Sequence, residues 1–167
     1  MLDSRLVEKL SCILEKEAEV YSGFLDLSKR KTEVIINGKV TELENITKSE
    51  QVLVDRVGEL EGIREQVVSE IASDTNSEPS CLTISSIIDG LDAVRAEKLK
   101  KTRDNIIYTV EEIRKINRLN KALIDNSLEY ADFSINLMSS ASNRGVKYSR
   151  DGKEGNGEKR SLFDVKL

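Results

Sequence analysis

The sequence predicts an all-α protein: an elongated antiparallel three-helix bundle of long helices, with a short extra helix before the third and a flexible C-terminal tail. Of its 167 residues, 34% are charged, only 4% are aromatic and 1 is a proline. Apolar residues also recur every seven positions over long stretches. Scarce proline and few aromatics argue against a sandwich or barrel, which needs turn residues and β-formers. Abundant helix formers with few breakers are instead typical of long helices.

The first helix is predicted over about residues 3–36. Its apolar stripe is wide, which suits packing in a bundle better than a narrow two-stranded seam. Asn37 and Gly38 follow as a C-terminal stop, because both residue types tolerate the left-handed conformation. The residues that recur every seven positions are Leu6, Ile13, Val20, Leu27 and Val34.

The second helix is predicted over about residues 41–72. Thr41 and Glu44 have the spacing of a capping box at its start. Because the link between the two helices is only a few residues long, they are expected to run antiparallel.

Four charged residues occupy core-type positions in this predicted hairpin. Glu17 and Arg64 would fall at one height, and Lys31 and Glu50 at another, with opposite charges in each pair. One interpretation is that the pairs select the register, since a wrong alignment would leave a charge unpaired in the seam. The alternative is that all four side chains extend outward to solvent.

A polar link holding the proline, Pro79, precedes a short helix over about 83–89, capped by Thr83 and ended near Gly90. A long third helix is predicted over 92–141. At about 1.5 Å per residue it would be roughly 75 Å long, against roughly 50 Å for each of the first two. Its C-terminal third would extend past the hairpin unless the helix bends or breaks, and its apolar face would then be a partner site or a dimer seam.

Two asparagines, Asn117 and Asn120, interrupt the apolar stripe of the third helix. As buried amides they would need hydrogen-bond partners in neighbouring helices and could fix the register. As partner contacts they would be half exposed. The structural role is favoured, because both lie in the stretch that should overlap the hairpin.

Residues 1–142 are thus assigned to the helical bundle and 143–167 to a flexible basic tail. The tail contains seven Lys/Arg against four Asp/Glu, whereas the whole chain has a net charge of −4. Its dense charge and glycines cannot bury enough apolar surface to order it. The chain then finishes with an apolar cluster that is either a docking element or a stray apolar end: Leu162, Phe163, Val165 and Leu167.

The composition argues against catalysis and against a metal or cofactor. The chain has no histidine, which removes the commonest general base and metal ligand. Cys12 and Cys81 lack metal or secretory spacing and are expected to be reduced thiols in a cytoplasmic protein, with Cys12 buried and inert. The negative net charge gives no case for nucleic-acid binding. No apolar run suggests membrane insertion.

The order of several elements resembles the FlgN family of flagellar export chaperones. The stretches EKEAEVYSGFLDLSKRKTEVI and VTELENITKSEQVLVDRVGELEGIREQVV carry the likeness in the first two helices. INRLNKALIDNSLEYADFSINLM and then VKYSRDG carry it in the third helix and beyond. The resemblance covers almost the whole chain.

This resemblance implies a cytoplasmic, non-enzymatic chaperone that binds helical segments of hook-associated proteins and delivers them to the flagellar type III export apparatus. By resemblance, Tyr148 is the candidate for docking to the export gate. A monomer or small homo-oligomer is expected. The main rivals are a structural coiled-coil scaffold and a regulatory binding protein without an export client. The residues that the resemblance implies for client binding are Leu128, Ala131, Ile135 and Met138.

Overall fold

The computed structural model describes residues 3–78 and 82–144, with side chains described as far as Ser140. The regular elements within these residues are all α-helices, which confirms the all-α prediction for this part of the chain. Each helix begins and ends within three residues of its predicted bounds. The helices are α1 (Ser4–Ile36), α2 (Val40–Asp74), α3 (Ile84–Asp89) and α4 (Ala93–Arg144).

The chain divides into two compact units, Met1–Ile124 and Asp125–Leu167, and the division falls within α4. The first unit contains α1, α2, α3 and the N-terminal part of α4. The assignment of residues 143–167 to a flexible tail stays a prediction, because the chain after Arg144 lies outside the described residues.

The stop predicted after α1 is confirmed. Asn37 is the C-cap, and Gly38 has a φ of 64°, in the left-handed region. The Gly38 amide donates to the Ile35 carbonyl, and the Lys39 amide donates to the Val34 carbonyl, both at 3.1 Å. These two bonds are the Schellman pattern, which satisfies carbonyls that the end of a helix would otherwise leave unpaired.

The capping box predicted at the start of α2 does not form. The helix begins at Val40, so Thr41 already lies in the first turn and cannot form a capping box with Glu44. The N-cap is Lys39, whose side chain makes no capping hydrogen bond. The reason is that the tight turn at Gly38 brings the chain back into helical conformation at once, before Thr41 is reached.

The predicted cap of α3 is present. Thr83 Oγ1 accepts from the Ser86 amide at 3.1 Å, and Ser86 Oγ accepts from the Thr83 amide at 2.9 Å. The helix ends at Asp89 with Gly90 as its C-cap, which agrees with the predicted end near Gly90. Isolated helices of six residues are marginal in water. This reciprocal cap stabilises α3 by satisfying backbone groups at its N-terminus.

The core of the first unit draws on all four helices. Fully burying an aliphatic side chain stabilises a fold by about 1.5–3 kcal/mol. Because α3 places two isoleucines in this core, it contributes to stability and does not only connect α2 to α4. The buried residues of this core are Leu10, Ile13, Leu14, Val67, Ile71, Ile87, Ile88 and Leu99.

Contacts along the helices give their directions within the first unit. The Asp3 amide donates to Asp74 Oδ2 at 3.3 Å, which places the start of α1 beside the end of α2. These two helices therefore run antiparallel. Lys98 Nζ lies 2.7 Å from Glu15 Oε1, and Asn120 contacts Ser28 further along both helices. This part of α4 therefore runs in the same direction as α1.

Candidate partner-binding surfaces

Two ion pairs connect α1 and α2 inside the hairpin. Arg64 Nε donates to Glu17 Oε1 at 2.9 Å, and Lys31 Nζ donates to Glu50 Oε2 at 2.6 Å. Glu17 is only 4% exposed. The side chains of Lys31 and Glu50 are also largely covered. Both predicted pairs are thus present, and the outward-pointing alternative is wrong.

The two asparagines differ in environment. Asn120 is buried; its Nδ2 donates to the Ser28 carbonyl at 3.0 Å, and its Oδ1 accepts from Thr32 Oγ1 at 2.6 Å. Asn117 is exposed, so the expectation that it is a buried amide is wrong. At about 100° per residue, Asn117 lies roughly 60° around the helix from Asn120. This offset places Asn117 among the lining residues of a groove.

That groove opens on the surface of the first unit and has a volume of about 350 Å³. Half-buried Tyr21 and Phe24 line it from α1, and Glu61 and Arg114 contribute opposite charges from α2 and α4. Burial raises the pKa of the Tyr21 phenol, and the nearby carboxylates of Glu61 and Glu17 raise it further. The remaining lining residues are Val54, Val57, Gly58, Val110, Ile113 and Asn117.

The thiol of Cys12 is exposed, so the expectation of a buried cysteine is wrong. Position 12 adjoins the apolar stripe of α1 but turns away from the core that contains Ile13. Among the residues that the structure describes, no three acidic or thiol side chains come together as a metal site would require.

The candidate client residues lie in the second unit, where α4 continues to Arg144. Leu128, Ala131, Ile135 and Met138 are all exposed, and Met138 is exposed to 74%. Their spacing places them on one side of the helix. We refer to these four residues as the Leu128 face.

Sequence reasoning missed a second apolar surface on the same segment. Tyr130, Phe133 and Leu137 are all exposed, Phe133 to 63%. Their spacing of three and four residues is helical and is visible in the sequence, but these positions lie outside the seven-residue apolar stripe. We refer to these three residues as the Phe133 face.

The remaining candidate docking residues lie outside the described residues. They are Tyr148, Leu162, Phe163, Val165 and Leu167.

Comparison with known proteins identifies the family. Residues 1–156 match the family described as FlgN protein. The chain belongs to the FlgN family. A FlgN-family chain is expected to act as a chaperone in flagellar export, and this family is not one of enzymes. The uncharacterized protein YvyG of Bacillus subtilis (strain 168) is 25% identical over 155 residues, covering 92% of this chain and 94% of YvyG. No solved structure matches.

None of the described helices of this FlgN-family protein combines the length and the apolar character needed to cross a bilayer.

Proposed function

We propose that this FlgN-family protein is a cytoplasmic chaperone that binds hook-associated proteins and delivers them to the flagellar type III export apparatus. Family membership supports a chaperone role in flagellar export. The observation that carries the choice of client surface is the exposure of the Leu128 face in the second unit. An amphipathic helix of a client is recognised when its apolar side packs on a complementary apolar side.

The Leu128 face suits this role because its exposed aliphatic side chains contribute little to the stability of the free protein. Transfer of apolar surface out of water contributes about 25 cal/mol per Å², and these side chains gain it only when a partner covers them. Binding would also keep the apolar helix of the client from assembling prematurely.

Substitution of the Leu128 face tests the proposal. Ile135→Asp together with Met138→Asp should abolish binding of a co-expressed hook-associated protein and leave the melting temperature nearly unchanged, since both side chains are exposed. Binding is measured by co-purification and by titration calorimetry, and stability by circular dichroism.

A matched control is available on the same helix. Ile107, in the first unit, is 51% exposed, as is Ile135. Ile107→Asp should leave client binding intact. A large loss of helicity in the double variant would show that its residues belong to a core, and unchanged binding would place the client elsewhere. Assembly of the wild-type protein into large oligomers without binding a client would instead support a structural coiled-coil protein.

Tyr148 remains the candidate for docking to the export gate, and the apolar residues near the C-terminus remain candidates for a second docking element.

A further inference from the structure

The second unit presents apolar side chains on two sides of one helix. At 100° per residue, the centres of the Leu128 face and the Phe133 face lie roughly 150° apart around α4. A helix packed against one neighbour typically buries an apolar stripe about 100° wide. One partner helix that covers the Leu128 face therefore leaves the Phe133 face in water.

The charges of this segment are confined to one narrow stripe. Asp125, Glu129 and Asp132 fall together on one side of the helix, between the two apolar faces, and residues 122–143 contain no Lys or Arg. On the opposite side the two faces are joined by serines; Ser134 Oγ donates to the Tyr130 carbonyl at 2.8 Å, so its polar group is already satisfied. Apolar side chains on two sides of a helix exceed the single stripe that one neighbour covers.

We propose that this segment of α4 is received between two helices of a single partner. One helix packs on the Leu128 face and the other on the Phe133 face, and Lys or Arg residues of the partner lie beside Glu129 and Asp132. This inference rests on the proposed function and specifies the form of the client: a pair of helices with aliphatic and aromatic inner sides.

Charge favours such a partner over a second copy of this chain. Glu129 and Asp132 are both exposed, so their carboxylates are accessible to basic groups of a partner. A second copy of the same segment would bring three acidic residues and no basic ones against them. Like charges brought together at an interface disfavour association, whereas complementary charges fix its register.

Site-specific photo-crosslinking tests the two-helix arrangement directly. Phe133 and Ile135 are replaced, one at a time, by p-benzoylphenylalanine in the full chain, which is co-expressed with the full-length hook-associated protein. After irradiation, mass spectrometry identifies the client residues that are joined to each position. The expected result is that the two positions join two different helical segments of one client molecule.

The outcomes separate this inference from the proposed function. Attachment of both positions to one segment would overturn the two-helix arrangement and leave the proposed function standing. The same holds if Phe133 joins a second copy of this chain, or the chain's own C-terminal residues, while Ile135 joins the client. Absence of client attachment from both positions, despite complex formation, would overturn both. Failure of the wild-type proteins to form a complex would overturn the proposed function itself.

Affinity measurements provide an independent check. Phe133→Asp with Leu137→Asp should weaken client binding by about tenfold or more, as loss of central apolar anchors does. Glu129→Lys with Asp132→Lys should weaken binding and reduce its dependence on salt. Glu111→Lys, at an exposed position of α4 in the first unit, is the control and should change neither the affinity for the client nor its dependence on salt. Unchanged affinity in the Phe133 and Leu137 variant would contradict the proposal.

Discussion

The carboxylate of Glu17 is held away from water by its burial and satisfied by the guanidinium of Arg64. Removing one partner of a buried pair is costly, because it leaves the other charge uncompensated. Arg64→Ala should therefore lower the free energy of unfolding by about 2 kcal/mol, below the roughly 3–5 kcal/mol of a fully buried pair. The reduction follows from the 28% exposure of the Arg64 side chain. Urea denaturation measures the change.

A second ion pair on α2 provides the control. Arg56 lies 2.7 Å from Glu59, but both side chains are more than half exposed. Arg56→Ala should cost less than about 0.5 kcal/mol. The exchange of Glu17→Arg with Arg64→Glu should recover part of the lost stability. Equal losses for Arg64→Ala and Arg56→Ala would show that burial of Glu17 has no energetic role.

The Asn120 amide holds α4 to α1 through the Ser28 carbonyl and Thr32. Asn120→Ala removes both of these hydrogen bonds from a buried position and should lower the free energy of unfolding by about 1–3 kcal/mol. Asn117→Ala removes an exposed amide and should change stability by less than about 0.5 kcal/mol. Equal effects would mean that the Asn120 contacts do not stabilise the fold. Denaturant midpoints at constant m-value measure both.

At the scale of the helix, the turn between α1 and α2 depends on the left-handed conformation of Gly38. A side chain there meets the following carbonyl oxygen, so Gly38→Ala should destabilise the protein by about 1 kcal/mol. Gly58 is the matched case inside α2, where an added Cβ would meet nothing within 4 Å. Gly58→Ala should stabilise by about 0.5–1 kcal/mol, because glycine loses more conformational freedom on folding. Thermal unfolding distinguishes the opposite signs, and two changes of the same sign would contradict the argument.

The helices themselves were largely predictable, because seven-residue periodicity and residue propensity act along the chain. The capping box at Thr83 depended only on local spacing and formed as predicted. The one at Thr41 had suitable spacing and did not form, because α2 begins one residue earlier. The sequence shows which side chains could cap the first amides of a helix. The preceding turn determines the residue at which the helix begins, and therefore whether those side chains are at the capping position.

At the scale of the whole molecule, the core and the exposed apolar faces belong to different units. The core that joins all four helices lies in the first unit, and the Leu128 and Phe133 faces lie in the second. Substitutions in the core of the first unit should therefore lower stability, and substitutions on the two faces should weaken partner binding. The paired measurements described above, melting temperature and client affinity, separate these effects.

The candidate site was only half predictable from the sequence. The Leu128 face was predicted from family resemblance and helical spacing. The Phe133 face could be recognised only from the structure, in which no neighbour within the described residues covers it. Cys12 illustrates the same limit in the first unit. Its position beside the stripe suggested burial, but how far neighbours cover α1 depends on how many helices pack there and at what angle.

The sequence by itself determined that the described chain is helical and where its helices begin and end to within a few residues, and it placed the opposite charges at matching heights of the hairpin. These features follow from local propensity and from the geometry of an antiparallel register. Only the tertiary structure decided that Asn120 is buried while Asn117 lines a groove, that α3 completes the core, and that two faces of α4 stay exposed. Periodicity fixes the direction of each side chain around its helix axis, but burial depends on what the other helices place against it.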